Sequence, residues 1–275
     1  MASPLDDIGG WPVAHAAAVV VDAGAGGHGA DRYGDQDRPF RLASVTKLLT
    51  AVAVLVAVEE GTLDLDEPAG PPAATVRHLL AHASGLGFDT GVLTAPGQRR
   101  IYSNTGFEAL GTHLAQAAGM PFADYLGLGV LEPLGMANTD LREWSPARGA
   151  WSTAADLARF AAELLHPTLI SAATLATATT VQFPALDGIL PGLGAQHPND
   201  WGLGFELKDH KQPHWTGATN SPETYGHFGG TGTFLWVDPS IGRALVVLTD
   251  QDFDDWALEP WPTLSDTVVA ASPRR

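Results

Sequence analysis

The sequence contains no cysteine. Disulfides, thiolate nucleophiles and zinc–thiolate sites are excluded with it. Cations are scarce too: 15 lysines and arginines stand against 31 aspartates and glutamates, a formal net charge of −16. Such a surface repels polyanions, so nucleic acid and anionic membranes are not expected partners. Long apolar runs are missing as well. The longest mainly apolar stretch, Leu48 to Val58, is too short to cross a bilayer. Residues Met1 to Asp7 are acidic and lack the apolar core of a signal peptide, which predicts a cytoplasmic chain. The remaining composition, 45% hydrophobic and 17% charged over 275 residues, suits one large domain or two intimate ones.

Lysine occurs only 3 times, and Lys47 is the sole charge between Ser44 and Val58. Apolar residues cover every face of that stretch, which predicts a helix buried on all sides from Ser44 to about Glu60, with Gly61 as its stop. A buried ammonium must find ligands or lose its proton. Ser44 lies one turn earlier on the same face. A hydroxyl beside a desolvated amine is an activated nucleophile for acyl groups. The bland alternative is a lysine snorkelling from a helix start, but its stem would have to escape past Leu48, Leu49 and Val52.

Ala16 to Val21 reads as a strand. Gly24 to Gly29 satisfies G-x-G-x-x-G, yet a dinucleotide site needs a helix to follow. Ala30 to Arg41 is polar, holds Pro39 and has no helical period, so a glycine-rich hairpin turn is predicted. From about Thr62 to Thr180 the pattern is helical. One helix is predicted from Thr75 to Ser84-Gly85, one from Asn104 to Ala118, and one from Thr153, with Asp156 as in a capping box. Strands are predicted at Trp201–Leu207, Tyr225–Val237 and Arg243–Thr249, and a last helix over Trp256–Ala271. The predicted fold class is α/β (α+β). Residues 1–61 and 200–275 form an antiparallel sheet flanked by helices, 62–199 a mostly helical insertion, and the site lies in the crevice between them.

Three motifs stand in order: Ser44-Val45-Thr46-Lys47, then Tyr102-Ser103-Asn104 opening a helix, then His227-Phe228-Gly229-Gly230 leading into a strand. Together they resemble the signatures of the serine β-lactamase and penicillin-binding-protein superfamily. Tyr-Ser-Asn in the middle is similar to the branch of class C β-lactamases, D-alanyl-D-alanine peptidases and family VIII esterases. Thr75–Leu86, Pro133–Met136, Ser152–Leu157 and Trp201–Gly204 also resemble segments of that family, so the likeness covers roughly residues 15 to 250. It implies the sheet-plus-insertion fold and an acyl-enzyme mechanism on a small-molecule ester or amide. No cofactor and no metal are expected. His78 and His82, four apart, lack the carboxylate of an H-E-x-x-H site.

In this reading Ser44 attacks the carbonyl. Either Lys47 or Tyr102 is the base, and free tyrosine, titrating near about 10, would need a nearby cation for that role. The N–H groups of Ser44 and Gly230 hold the oxyanion, and Asn104 binds the acyl amide or Lys47. Asn104 could instead be only a helix cap, and His227 only a strand-end histidine. One departure from the family stands out. Phe228 occupies the place of a threonine or serine whose hydroxyl holds a substrate carboxylate, and His227 that of a lysine. The expectation is an esterase-like serine hydrolase; the alternatives are a β-lactamase, a D-alanyl-D-alanine carboxypeptidase or amidase, and a silent binding scaffold.

Overall fold

The structure, a computed structural model, describes residues 3–24 and 31–272. Strands β1 (Ala16–Asp22), β2 (Asp31–Tyr33) and β3 (Phe40–Arg41) come first. Helices α1 (Thr46–Glu59), α2 (Val76–Leu80), α3 (Asn104–Ala118) and α4 (Phe122–Leu126) follow. Then come β4 (Asp140–Leu141), β5 (Ala150–Ser152), α5 (Ala154–Leu165), α6 (Ala172–Ala178), β6 (Gly188–Leu190) and β7 (Gly194–Gln196). The chain ends with β8 (Glu206–Leu207), β9 (Tyr225–Gly229), β10 (Thr233–Asp238), β11 (Arg243–Thr249) and α7 (Pro260–Ala270).

The main sheet runs β2-β1-β11-β10-β9-β8 and is antiparallel. β1 pairs with β11, from Ala16 opposite Thr249 to Asp22 opposite Arg243, so the two ends of the chain build one sheet, as expected. Ala17, Val19 and Val21 face a core shared with α1 and α5. Ala18 and Val20 face a second core with Trp261, Leu264 and Val268 of α7. Helices cover both faces, which is why β1 and β11 read as continuous apolar runs instead of alternating ones. The glycine-rich turn predicted at Gly24–Gly29 lies, beyond Gly24, outside the described residues.

Helix α1 is buried at every position from Thr46 to Ala57. It stops as predicted: Gly61 takes φ +76° and the Thr62 N–H bonds the Ala57 carbonyl at 2.9 Å. Two other expectations need correction. The helix capped by Thr75 ends at Leu80, because His82 adopts a left-handed φ of +53°. His78 and His82 therefore do not share a helix face: the His78 ring stacks on Phe183, and His82 packs on Tyr102 and Trp201. Within Trp201–Leu207 only Glu206 and Leu207 form a strand. Gly204, at φ +85°, turns the chain so closely onto α1 that a Cβ there would lie 2.3 Å from Ala51 Cβ. The segment 62–199, expected to be mostly helical, carries α2 to α6 together with short strands. It holds β4 and β5, which join β3 in a small sheet, and the β6–β7 hairpin. Its helix α5 packs on β1 and β11 of the main sheet. No helix among the described residues is long and apolar enough to cross a membrane.

Candidate active site

Ser44 sits in a single 3-10 turn, Ala43–Val45, immediately before α1. Ala43 takes φ +45°, a left-handed conformation that costs a non-glycine residue energy and is held by its surroundings. Those surroundings come from the far end of the sequence. Thr233 Oγ1 donates to the Leu42 carbonyl at 2.9 Å and Thr231 Oγ1 to the Arg41 carbonyl at 2.7 Å. Gly229 lies so near that a Cβ on it would stand 2.3 Å from the Leu42 oxygen. The end of β9 is thus docked against the residues that present Ser44. Neither the Ser44 N–H nor the exposed Gly230 N–H has a hydrogen-bond acceptor among the described residues.

Lys47 is completely buried. Its Nζ donates to Asn104 Oδ1 at 2.6 Å and to the Ala147 carbonyl at 2.9 Å, and lies 3.3 Å from Ser44 Oγ. Burial, and then the Arg148 charge, hold the amine well below the usual lysine range. A neutral amine has two N–H bonds, which Asn104 and Ala147 engage. In that form its lone pair would be left for the Ser44 hydroxyl. The Tyr102 hydroxyl donates to Ser44 Oγ at 2.7 Å, and burial pushes its phenol above the usual tyrosine range despite that bond.

Ser103, not Asn104, caps α3: its Oγ accepts the Gly106 N–H at 2.9 Å. That leaves the Asn104 side chain free to enter the site. Its Nδ2 donates to Asp89 Oδ1 at 3.0 Å, and Asp89 is paired with Arg148 at 3.4 Å. Asp89 therefore orients the Asn104 oxygen toward Lys47. Sequence reasoning did not find Asp89 or Arg148, because a loop aspartate and a loop arginine carry no local signal of this approach.

His227 is buried beside Tyr102 and Trp201, with ring centroids 5.5 and 5.4 Å away. Its Nδ1 donates to the Phe228 carbonyl at 2.6 Å, and Nε2 has no partner among the described residues. Burial first, and the Lys47 charge second, push its pKa down to about 3, so the imidazole is neutral. Phe228 faces the other way. Successive residues of a strand alternate faces, and its ring lies among Trp215, Phe253 and Trp261 of the second core. The structure thus brings Ser44, Lys47, Tyr102 and Asn104 into one hydrogen-bonded group, sets His227 beside it, and turns the Phe228 ring into the core. A groove of about 620 Å³, lined by Val19, Arg32 and Arg159 among others, contains none of these groups.

The fold agrees with the comparisons. The model of the Beta-lactamase family matches residues 10–265, and the chain belongs to that family. A crystal structure of a β-lactamase (Mb2281c) from Mycobacterium bovis superposes with a TM-score of 0.95 and 54% identity, over 98% of each chain. The esterase EstB of Burkholderia gladioli is 29% identical over 42% of this chain and 41% of its own length. The D-alanyl-D-alanine-carboxypeptidase/endopeptidase AmpH of Escherichia coli is 28% identical over 41% of this chain and 40% of its own. The matches span about two fifths of the length of these curated relatives. The family is one of serine hydrolases, and the chain is an enzyme of that class.

Proposed function

We propose that the chain is an esterase that cleaves neutral carboxylic esters through an acyl-enzyme on Ser44. The observation that carries this reading is the double engagement of Ser44 Oγ, by Lys47 Nζ at 3.3 Å and Tyr102 Oη at 2.7 Å. Lys47, with its depressed pKa, takes the serine proton as Ser44 attacks and the Oγ–carbon bond forms. The N–H groups of Ser44 and Gly230 receive the developing oxyanion. The carbon–oxygen bond to the leaving group then breaks, and Tyr102 gives its proton to the departing oxygen. Lys47 returns the serine proton to Tyr102, so the net transfer is from serine to alcohol. Water repeats the steps in reverse, releasing the acid and restoring the Ser44 hydroxyl.

Two features support ester over amide and neutral over anionic substrates. The Asn104 amide nitrogen, the donor an acyl amide would offer its oxygen to, is held by Asp89. His227 of the third motif is a neutral imidazole and the 228 side chain faces the second core, so neither offers a charge to a substrate carboxylate. The second reading is a β-lactamase, favoured by the 54% identity to the Mycobacterium bovis structure. A silent scaffold would have no reason to bury an amine against a serine hydroxyl. The test is kcat/KM for p-nitrophenyl butyrate beside a chromogenic cephalosporin, each normalised by its uncatalysed rate, with Ser44→Ala as control. The ester should win, and Ser44→Ala should lose on the order of 10⁴-fold or more. A higher normalised value for the cephalosporin replaces the esterase reading with the β-lactamase one.

A further inference from the structure

His82 grips the main chain on both sides of Tyr102. Its carbonyl accepts the Ile101 N–H at 2.9 Å, and its ring Nδ1 accepts the Ser103 N–H at 3.1 Å. The ring itself packs on the Tyr102 ring at 4.6 Å, on Trp201 at 4.6 Å and on Phe107 at 5.2 Å. Tyr102 is thus held before and behind by one residue, whose ring leans on its own at an interplanar angle of 43°. Because Nδ1 accepts, the ring proton sits on Nε2.

Packing alone does not call for a histidine here. Its Nε2 is buried without a partner among the described residues, and its backbone is left-handed, which strains any residue with a Cβ. Leucine or methionine would fill the space without an orphaned N–H. What only a short side chain with an acceptor supplies is the bond to Ser103, the residue between the phenol and Asn104. A buried neutral imidazole also keeps that acceptor available, since burial, and then the Lys47 charge, hold His82 well below its usual basicity.

We propose that His82 is a positioning residue that sets the Tyr102 phenol for proton delivery to the leaving group. The inference rests on the relay role given to Tyr102 above. Removing the ring acceptor frees the Ser103 N–H, leaves the Ile101 bond to the residue-82 carbonyl in place, and lets the phenol swing. Substrates that need a proton on departure then suffer most. An alkoxide needs one; p-nitrophenolate leaves well without it.

The experiment is a series of butyrate esters with leaving groups from p-nitrophenol through phenol to simple alcohols, read as kcat/KM against leaving-group pKa. The variants are His82→Leu, His82→Asn, His82→Gln and Tyr102→Phe, each checked for native circular dichroism. Asparagine places its oxygen where Nδ1 sits and tolerates left-handed backbone; glutamine places it one bond too far. General-acid assistance is worth about 10²–10⁴-fold, so His82→Leu and His82→Gln should lose roughly ten times more activity on alkyl than on p-nitrophenyl esters. His82→Asn should keep the wild-type slope. A uniform loss across the series in His82→Leu or His82→Gln overturns the proposal, as does a steepened slope in folded His82→Asn. If Leu and Gln do not fold, the slope of His82→Asn decides alone. A wild-type slope in Tyr102→Phe removes the relay reading and this inference with it. A steep slope in Tyr102→Phe with unaltered slopes in His82→Leu and His82→Gln removes this inference only.

Discussion

Tyr102 donates its phenol proton to Ser44 Oγ across 2.7 Å, and the two residues lie 58 apart in sequence. With the phenol pushed above its usual range by burial, it acts from its protonated form. Tyr102→Phe should therefore lower kcat on alkyl esters by about 10²–10⁴-fold. Labelling of Ser44 by a fluorophosphonate should fall much less, because fluoride departs without a proton. Equal losses in hydrolysis and labelling would place the phenol in nucleophile activation instead.

Lys47 makes a stability prediction as well as a kinetic one. Its folded pKa is depressed by burial and by Arg148, so below the unfolded value the unfolded chain binds a proton that the native state does not. Stability then rises with pH between the folded pKa and the unfolded value of about 10.4, by up to about 1.4 kcal/mol per pH unit. Lys47→Met lacks this dependence. The orphaned Asn104 and Ala147 oxygens offset its absolute stability but not the slope. Urea melts of both proteins across pH should diverge, the wild type gaining on the variant as pH rises. Parallel curves would mean that the amine is charged in the folded state. Activity follows the same proton: the rate should rise with pH through the Lys47 titration, and Lys47→Arg, which keeps its charge, should be nearly inactive.

The two loop charges beside Lys47 should move that titration in opposite directions. Asp89 stabilises the ammonium and Arg148 disfavours it. Asp89→Asn should shift the acid limb of the rate profile to lower pH, and Arg148→Gln to higher pH. Asp89→Ala should also release the Asn104 amide nitrogen. One net hydrogen bond is worth about 0.5–1.5 kcal/mol, so the amide-to-ester ratio should climb roughly 2- to 10-fold. Matched p-nitroanilide and p-nitrophenyl substrates measure it. Shifts of the same sign in both variants would show that the loop acts through its conformation and not its charge.

Ser44 and Lys47 are legible because a lone charge in an apolar helical run leaves a local trace, whereas Tyr102 and Asn104 are read from the likeness of the ordered motifs to a family. The sequence offers Asn104 as a possible cap of α3, and the structure gives that place to Ser103. The rest depends on approach between distant segments. His82 was hidden by a helix read four residues too long; the left-handed turn that ends it has no glycine to announce it. Asp89, Arg148 and the Ala147 carbonyl lie on irregular loops. Phe228 shows the opposite case: strand alternation sets it on the face away from His227, but that inference needs the strand's burial on both sides.

Behind Trp201 lies a second buried ionic group that the motifs did not reveal. Glu206 accepts from Lys211, from His214 Nε2 at 2.8 Å and from Trp215 Nε1 at 2.9 Å. Lys211 Nζ also lies 5.9 Å from the centre of the Trp201 ring, which packs on Tyr102. Burial disfavours the Glu206 charge, but His214 and Lys211 outweigh it and bring the carboxyl to about 2. The stability this contributes is present above the unfolded carboxyl range near about 4.3 and fades as pH falls toward the folded value. Lys211→Met removes the partner and leaves the carboxylate buried, a loss of about 3–5 kcal/mol near neutral pH. The variant's Glu206 then takes up a proton more readily, so the loss should shrink at pH 4. Adding Glu206→Gln should recover much of it, making the double variant more stable than the sum of the singles. Urea melts of the four proteins at pH 7 and pH 4 test this. Additive, pH-independent losses would mean that Lys211 contributes through its bonds to the Asp200 and Leu207 carbonyls and not through Glu206.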